Sequence, residues 1–293
     1  MIKISVIIPT FNRVDFIENA IKSVLRQTYK VDEIIVIDNL STDNTLVLIK
    51  DKYPQITVLK ENKPGVSYAR NKGILKAKNN WIALLDSDDE WLPNKIELQV
   101  EKIRSENSPL LIHTDEVWIK NGKLINKKKK HAKLEGYIFK ESLQMCAISP
   151  SSVLINKLLF EKYGMFDFRL IVCEDYELWL RFTSKTSVHL VKEKCVIKYG
   201  GHKDQLSKKY WGMDRFRIAA LENLLLEYNL SKIQKKEVLD ILIYKINIIL
   251  TGAKKRKNNT IIRLYNTKKA YWENKYKNEK KKFKNCNGIT SRV

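Results

Sequence analysis

Residues 84–91 read LLDSDDEW, so Asp86, Asp88 and Asp89 stand within four positions, directly behind an apolar run. Like charges this close repel, and carboxylates are costly to bury. Something must offset them. A helix N-terminus is one candidate, because its dipole favours negative charge. It accounts for one or two acids, and poorly for an aspartate at a strand's last position with two more behind it. A divalent cation is the other candidate. Mg²⁺ and Mn²⁺ take one or two carboxylates and fill the rest of their shell with water and phosphate oxygens. A second acidic pair, Glu174 and Asp175, opens the run EDYELWLRF, in which Leu178 and Phe182 share a helical face. By residue type alone the pair reads as helix-start acids, with Trp179 and Arg181 as packing and surface positions. His202, in YGGHKDQLS, follows two glycines that free the backbone. Its imidazole is a candidate ligand for a metal or a diphosphate, or a loop histidine without a role. His113 and His189 sit in strand-like runs and read as structural, and His131 in a lysine loop reads as solvated.

The elements that must position these residues alternate. Apolar strand-like runs occur at residues 3–9, 32–38, 55–61, 80–86 and 109–115. Between them, helical spacing occurs at 15–27, at 41–53 with Ser41 or Thr42 as cap, at 65–77, and at 92–105 with Pro93 in the first turn. Strand–helix alternation with near-continuous apolar strands predicts a mostly parallel sheet covered by helices on both faces. Ligands bind outside the carboxyl ends of such strands. Pro9–Asn12, Asp38–Asn39 and Asp86–Asp89 all fall at strand ends, so three polar clusters distant in sequence should line one edge. Beyond residue 115 the pattern changes. Residues 116–126 read as a hairpin around Asn121-Gly122, and 127–133 as a solvated basic loop. Short elements follow to about residue 200, and then a long helical stretch at 210–230 and a basic helical tail.

Together the motifs resemble those of the family 2 glycosyltransferases, inverting enzymes of the GT-A fold. The resemblance rests on ISVIIPTFN, IIVIDNLSTDNT, ENKPGVSYARNKGI, LLDSDDEWLPNKI and VCEDYELWLRF, in that order across residues 3–200. It implies an α/β domain over residues 1–205, with a nucleotide-binding half (1–115) and an acceptor-binding half (116–205), followed by a basic helical extension, 206–293. A nucleotide-sugar, in this family usually a UDP-sugar, is then expected against Pro9, Thr10, Phe11, Asn12, Asp38, Asn39, Arg70, Asp86 and Ser87. Asn39 stands where the family has a second acid. Asp86 and Asp88 match the Asp-x-Asp motif. Asp88 is the better metal ligand, Asp86 faces the ribose or the cation's outer ligands, and His202 is a further candidate ligand. Asp89 reads as a helix-start residue. Glu174 and Asp175 match the pair that supplies the general base, Asp175 being the choice. Mn²⁺ or Mg²⁺ is the implied cofactor.

The whole chain carries a net charge of +22, and residues 229–293, with 18 lysines and arginines against four acids, hold +14 of it. Aromatic residues among the lysines fit an anionic membrane surface. They carry no nucleic-acid-binding signature, and a nucleic-acid partner is not expected. The cysteines Cys146, Cys173, Cys195 and Cys286 show no Cys-x-x-Cys spacing and read as reduced thiols of a cytosolic protein. The apolar run 238–250 spans thirteen residues and includes Asp240 and Lys245, so no transmembrane helix is expected. The composite expectation is a cytoplasmic transferase, peripheral at the inner face of the cell membrane, acting on a glycan or lipid-linked acceptor. The rival readings are a polyprenyl-phosphate glycosyltransferase, a basic nucleic-acid-binding protein, and a nucleotide-binding fold without catalysis.

Overall fold

The computed structural model describes residues 1–201 and 209–287, with side chains described as far as residue 277. His202 and the side chain of Cys286 therefore lie outside the described residues. The chain divides into two units, Met1–Lys209 and Tyr210–Val293.

In the first unit β1 (Ile4–Thr10), α1 (Ile17–Leu25), β2 (Glu33–Asp38), α2 (Thr45–Lys52), β3 (Thr57–Lys60), α3 (Val66–Lys76) and β4 (Trp81–Leu84) alternate as expected. β5 (Asp89–Trp91), α4 (Lys95–Ser105), β6 (Leu111–Lys120), β7 (Lys123–Ile125) and α5 (Phe139–Ser142) follow. The unit closes with β8 (Val153–Asn156), α6 (Leu158–Tyr163), α7 (Glu174–Thr183) and β9 (His189–Gly200). One sheet runs β3-β2-β1-β4-β8-β6-β9-β5, with β7 on the side of β6. Alternation along each strand explains the unbroken apolar runs. Ile4, Val6 and Ile8 of β1 join one core, while Ile7 joins the other with Ile35 and Ile37 of β2. Gly73 lets α3 lie close on the sheet, because a Cβ there would stand 2.4 Å from Cγ2 of Ile7.

The α/β class is as expected, but the sheet is mixed. β3, β2, β1 and β4 are mutually parallel, and β8 then inserts antiparallel between β4 and β6. β6 and β9 are parallel, and β5 runs antiparallel to β9. Several local expectations are corrected. α2 begins at Thr45 instead of at residue 41 or 42, because Ser41 and Thr42 are tied to Asn12 of the β1 turn. α4 begins at Lys95, beyond Pro93, because residues 89–91 are drawn into β5 by pairing with β9. The basic loop is only partly solvated: the Lys133 side chain is buried and pairs with buried Glu116 at 3.3 Å. Arg181 is buried too, paired with Glu177 and donating to the carbonyls of Tyr163 and Met165. The hairpin at Asn121-Gly122 is present, both residues having positive φ.

The second unit holds α8 (Asp214–Glu227), α9 (Lys232–Lys255) and α10 (Asn259–Asn287). Ser231 and Gln234 form a capping box at the start of α9. Leu221, Leu224, Leu242 and Ile246 are buried, and Glu222 of α8 takes Lys268 and the indole N–H of Trp272 from α10. No described helix is long and apolar enough to cross a membrane.

Lys95 is fully buried under the sheet, its Nζ 3.9 Å from the Trp91 ring centroid and bonded to Gln99. Burial pulls its ammonium down from 10.5 to about 7. A lysine with a depressed folded value binds fewer protons folded than unfolded. Stability therefore rises with pH from about 7 to about 10.5 and is flat below. The slope is up to about 1.4 kcal/mol per pH unit. Lys95→Met should be stabilised most at pH 7 and below, with the gap to wild type closing as pH rises; urea melts across this range check it.

Candidate active site

The parallel strands β1, β2 and β4 end side by side. Thr10 registers with Asp38, and Ile7 with Leu84. Their carboxyl ends hold the three polar clusters together. Pro9 and Thr10 close β1, and Phe11 is exposed just beyond. Thr10 Oγ1 and Asp38 Oδ1 are buried with no hydrogen-bond partner, two polar atoms on the same face of paired strands. Asn12 and Asn39 are differently employed. Asn12 Oδ1 accepts from the Thr42 N–H at 2.8 Å. Asn39 donates to the carbonyls of Glu61 and Lys63 and accepts from the Gly65 N–H, at 2.7–3.0 Å. Its amide is spent holding the turn before α3, whereas Asp38 Oδ1 stays unpartnered.

That turn delivers Arg70. On α3, Arg70 is buried, and its guanidinium donates to Asp86 Oδ1 at 2.7 Å and to Glu174 Oε1 at 2.6 Å. Its face lies over Phe166, 5.1 Å from the ring centroid. Arg70 thus bridges the two acidic motifs. Burial pushes Asp86 up, but Arg70 and Lys198 outweigh it and hold the carboxyl below the ordinary aspartate value. Glu174, desolvated and beside Asp175, is pushed up to about 7 despite its arginine.

β4 stops at Leu84, so Asp86, the buried Ser87 and Asp88 form a loop. Among the described residues, no other residue gives the Asp88 carboxylate a hydrogen bond or ion pair. Burial and then the charge of Asp86 raise it. An unpaired carboxylate beside a second one fits a hard divalent cation. Asp89 is not a helix-start residue. It is buried in β5, bonded to Ser151 Oγ at 2.6 Å, with Lys198 of β9 at 3.6 Å. Ser151 is a residue that sequence reasoning missed. Its Oγ also accepts from the Asp86 N–H at 3.1 Å, and its carbonyl takes the Trp91 indole. One serine therefore ties both ends of the acidic loop to the start of β8. Nothing in PSSV signals this, because the contact depends on β8 inserting beside β4.

On the far side of Arg70, Cys173 adopts a left-handed turn, φ 63°, rare for a residue with a side chain. It starts α7 so that Glu174 meets Arg70 while Asp175, half-buried, lies 3.3 Å from the Cys146 thiol. Trp179 is buried one turn further on. Cys146, Cys173 and Cys195 are free thiols. A separate group, Glu106, Glu135 and His189, also has ligand atoms within 4.8 Å of one another. It lies toward the amino ends of β6 and β9, away from this edge, and the Lys102 ammonium already bonds both glutamates.

The mixed sheet thus carries an acidic loop at its carboxyl edge, and Arg70 joins a second acidic pair to it. The family model "Glycosyl transferase family 2" matches residues 5–163, and the chain belongs to that family. It is 38% identical over 206 residues to an uncharacterized glycosyltransferase of Rickettsia conorii, covering 68% of this chain and 33% of that protein's length. It is 30% identical over 190 residues to WfgD of Escherichia coli, a UDP-Glc:alpha-D-GlcNAc-diphosphoundecaprenol beta-1,3-glucosyltransferase, covering 64% of this chain and 72% of that one. The fold matches the S. aureus TarS 1–349 structure in complex with UDP-GlcNAc, with TM-score 0.71 at 17% identity, over 88% of this chain and 76% of that one.

Ser151→Ala should cost about 1–3 kcal/mol, since it leaves the Asp89 carboxylate and the Asp86 N–H short of a partner. The check is a lower urea midpoint at unchanged m-value.

Proposed function

We propose that this protein is an inverting glycosyltransferase that moves a sugar from a nucleotide-sugar, UDP-linked, to a hydroxyl of a glycan or lipid-linked acceptor. The observation that carries the reading is the Arg70 bridge, which brings the acidic loop after β4 and the acidic start of α7 to one place. Thr10 and Asp38, with unpartnered buried oxygens, serve the base and ribose, and exposed Phe11 borders them. Asp88, with Asp86 beside it, holds the divalent cation, Mn²⁺ or Mg²⁺. Bound there, the cation supplies Lewis-acid stabilisation of charge on the departing diphosphate. Glu174 is engaged by Arg70 and positions α7, whereas Asp175 is free to act as general base. The acceptor oxygen bonds to the anomeric carbon as the bond to diphosphate breaks. The electron pair leaves with the nucleotide, and the hydroxyl proton passes to Asp175. One displacement inverts the centre.

Thermal-shift titrations test this. UDP with Mn²⁺ should raise Tm, and Asp88→Ala should abolish the increment. Equal stabilisation without metal overturns the metal role. Asp175→Asn should bind UDP normally yet lose turnover by about 10²–10⁴-fold. Largely intact turnover would favour transfer to a polyprenyl phosphate, an acceptor that needs no strong base.

The second unit favours a membrane partner. Ile233, Tyr244 and Ile248 are exposed on α9 at spacings of eleven and four residues, close to whole turns, with exposed Lys232, Lys236, Lys254 and Lys255 nearby. Cations beside exposed aliphatic and aromatic groups suit an anionic lipid surface. In this reading the protein works in the cytoplasm, against the inner face of the cell membrane. It should co-sediment with phosphatidylglycerol vesicles and not with phosphatidylcholine ones. Ile248→Glu should weaken the association.

A further inference from the structure

We propose that Cys146 is a positioning residue for the general base, its thiol holding the Asp175 carboxylate in the orientation that receives the acceptor's proton. This rests on the reading of Asp175 as base. Cys146 lies in the segment between α5 and β8, half-buried, with Sγ 3.3 Å from Asp175 Oδ2 and 3.2 Å from the Ile148 carbonyl. One S–H thus faces two acceptors, and the carboxylate is the stronger because it is charged. The contact is with a thiol and not a thiolate. Burial, and then the charge of Asp175, lift Cys146 well above its ordinary value of 9.0. The group therefore stays a donor throughout the range in which a carboxylate base works.

The other carboxylate oxygen is held as well. Asp175 Oδ1 accepts from the Tyr176 N–H at 2.7 Å. Each oxygen is oriented by one donor and keeps lone-pair capacity for an incoming hydroxyl. The main-chain donor comes with the helix, but the thiol comes from a different part of the chain, so among the described residues Cys146 is the hydrogen-bond donor that holds the carboxylate from outside α7. Arg70 of α3, Glu174 of α7 and Lys198 of β9 also act on Asp175 through their charges. All three remain in the variants below. The thiol proton stays on sulfur during transfer, and the proton that moves is the acceptor's.

Removing a donor from a carboxylate disfavours its charged form. The probe reaction is hydrolysis of UDP-glucose or UDP-N-acetylglucosamine in Mn²⁺, followed from acid to alkaline pH. Cys146→Ala should move the acid limb of kcat upward by about half to one pH unit. The KM for the nucleotide-sugar should not change, and Cys146→Ser should restore the wild-type limb. A second measurement needs no turnover. With the charge of Asp175 removed in Asp175→Asn, iodoacetamide should label Cys146 several-fold faster by mass spectrometry. A Cys146→Ala profile lying on the wild-type profile overturns the inference, as does an unchanged labelling rate. If Asp175→Asn is inactive and Cys146→Ala is normal, the base assignment stands and this inference alone falls. If Asp175→Asn turns over like wild type, both fall.

Discussion

Burying a guanidinium is tolerable only if carboxylates go with it. Arg70 takes two, Asp86 and Glu174, from segments that fold on opposite sides of it. Breaking such a pair by removing one partner typically costs about 3–5 kcal/mol, because the remaining charge is stranded. The acidic loop after β4 and the first turn of α7 are therefore locked to one another through a single side chain. Phe166 closes the face of that side chain, and Asn39 shapes the turn that leads to its helix. Among the described residues, Asp88 and Asp175 are the acids of this constellation without an ion-pair partner.

The acidic loop engages two of its carboxylates and leaves one unpaired among the described residues. Asp86 is paired with arginine, and Asp89 is sunk into β5 against Ser151 and Lys198. Asp88, between them, has no hydrogen bond or ion pair from another of the described residues, and the charges of Arg13 and Lys198 do not outweigh its burial and the charge of Asp86. Such a carboxylate is costly to the bare fold, and in the proposed reading a divalent cation offsets it. The same division recurs at α7, where Glu174 is engaged and Asp175 is held by weaker donors.

Much of the first half was legible because its signals are local. The alternation of strands and helices, the apolar strands and the clustering of polar residues at strand ends all follow from periodicity, and β1 to β4 lie where it puts them. The errors have a common origin. β5 was read as the start of a helix because its partner, β9, lies a hundred residues away and three residues carry no period of their own. Arg181 was read as a surface residue because a helical wheel shows neither Glu177's burial nor the carbonyls of Tyr163 and Met165 that it reaches.

By itself the sequence determined which acids exist, that they stand at strand and helix ends, and that the last 65 residues are strongly basic. Residue type and short-range spacing are enough for that. Only the tertiary structure decided what each acid does. Pairing with Arg70, Ser151, Lys198 or Cys146 depends on side chains brought together by sheet order, and β8's antiparallel insertion between β4 and β6 leaves no trace in local pattern. Ionic and hydrogen-bonded contacts act over a few ångströms, so the role of a carboxylate belongs to its neighbours in space and not to its neighbours in the chain.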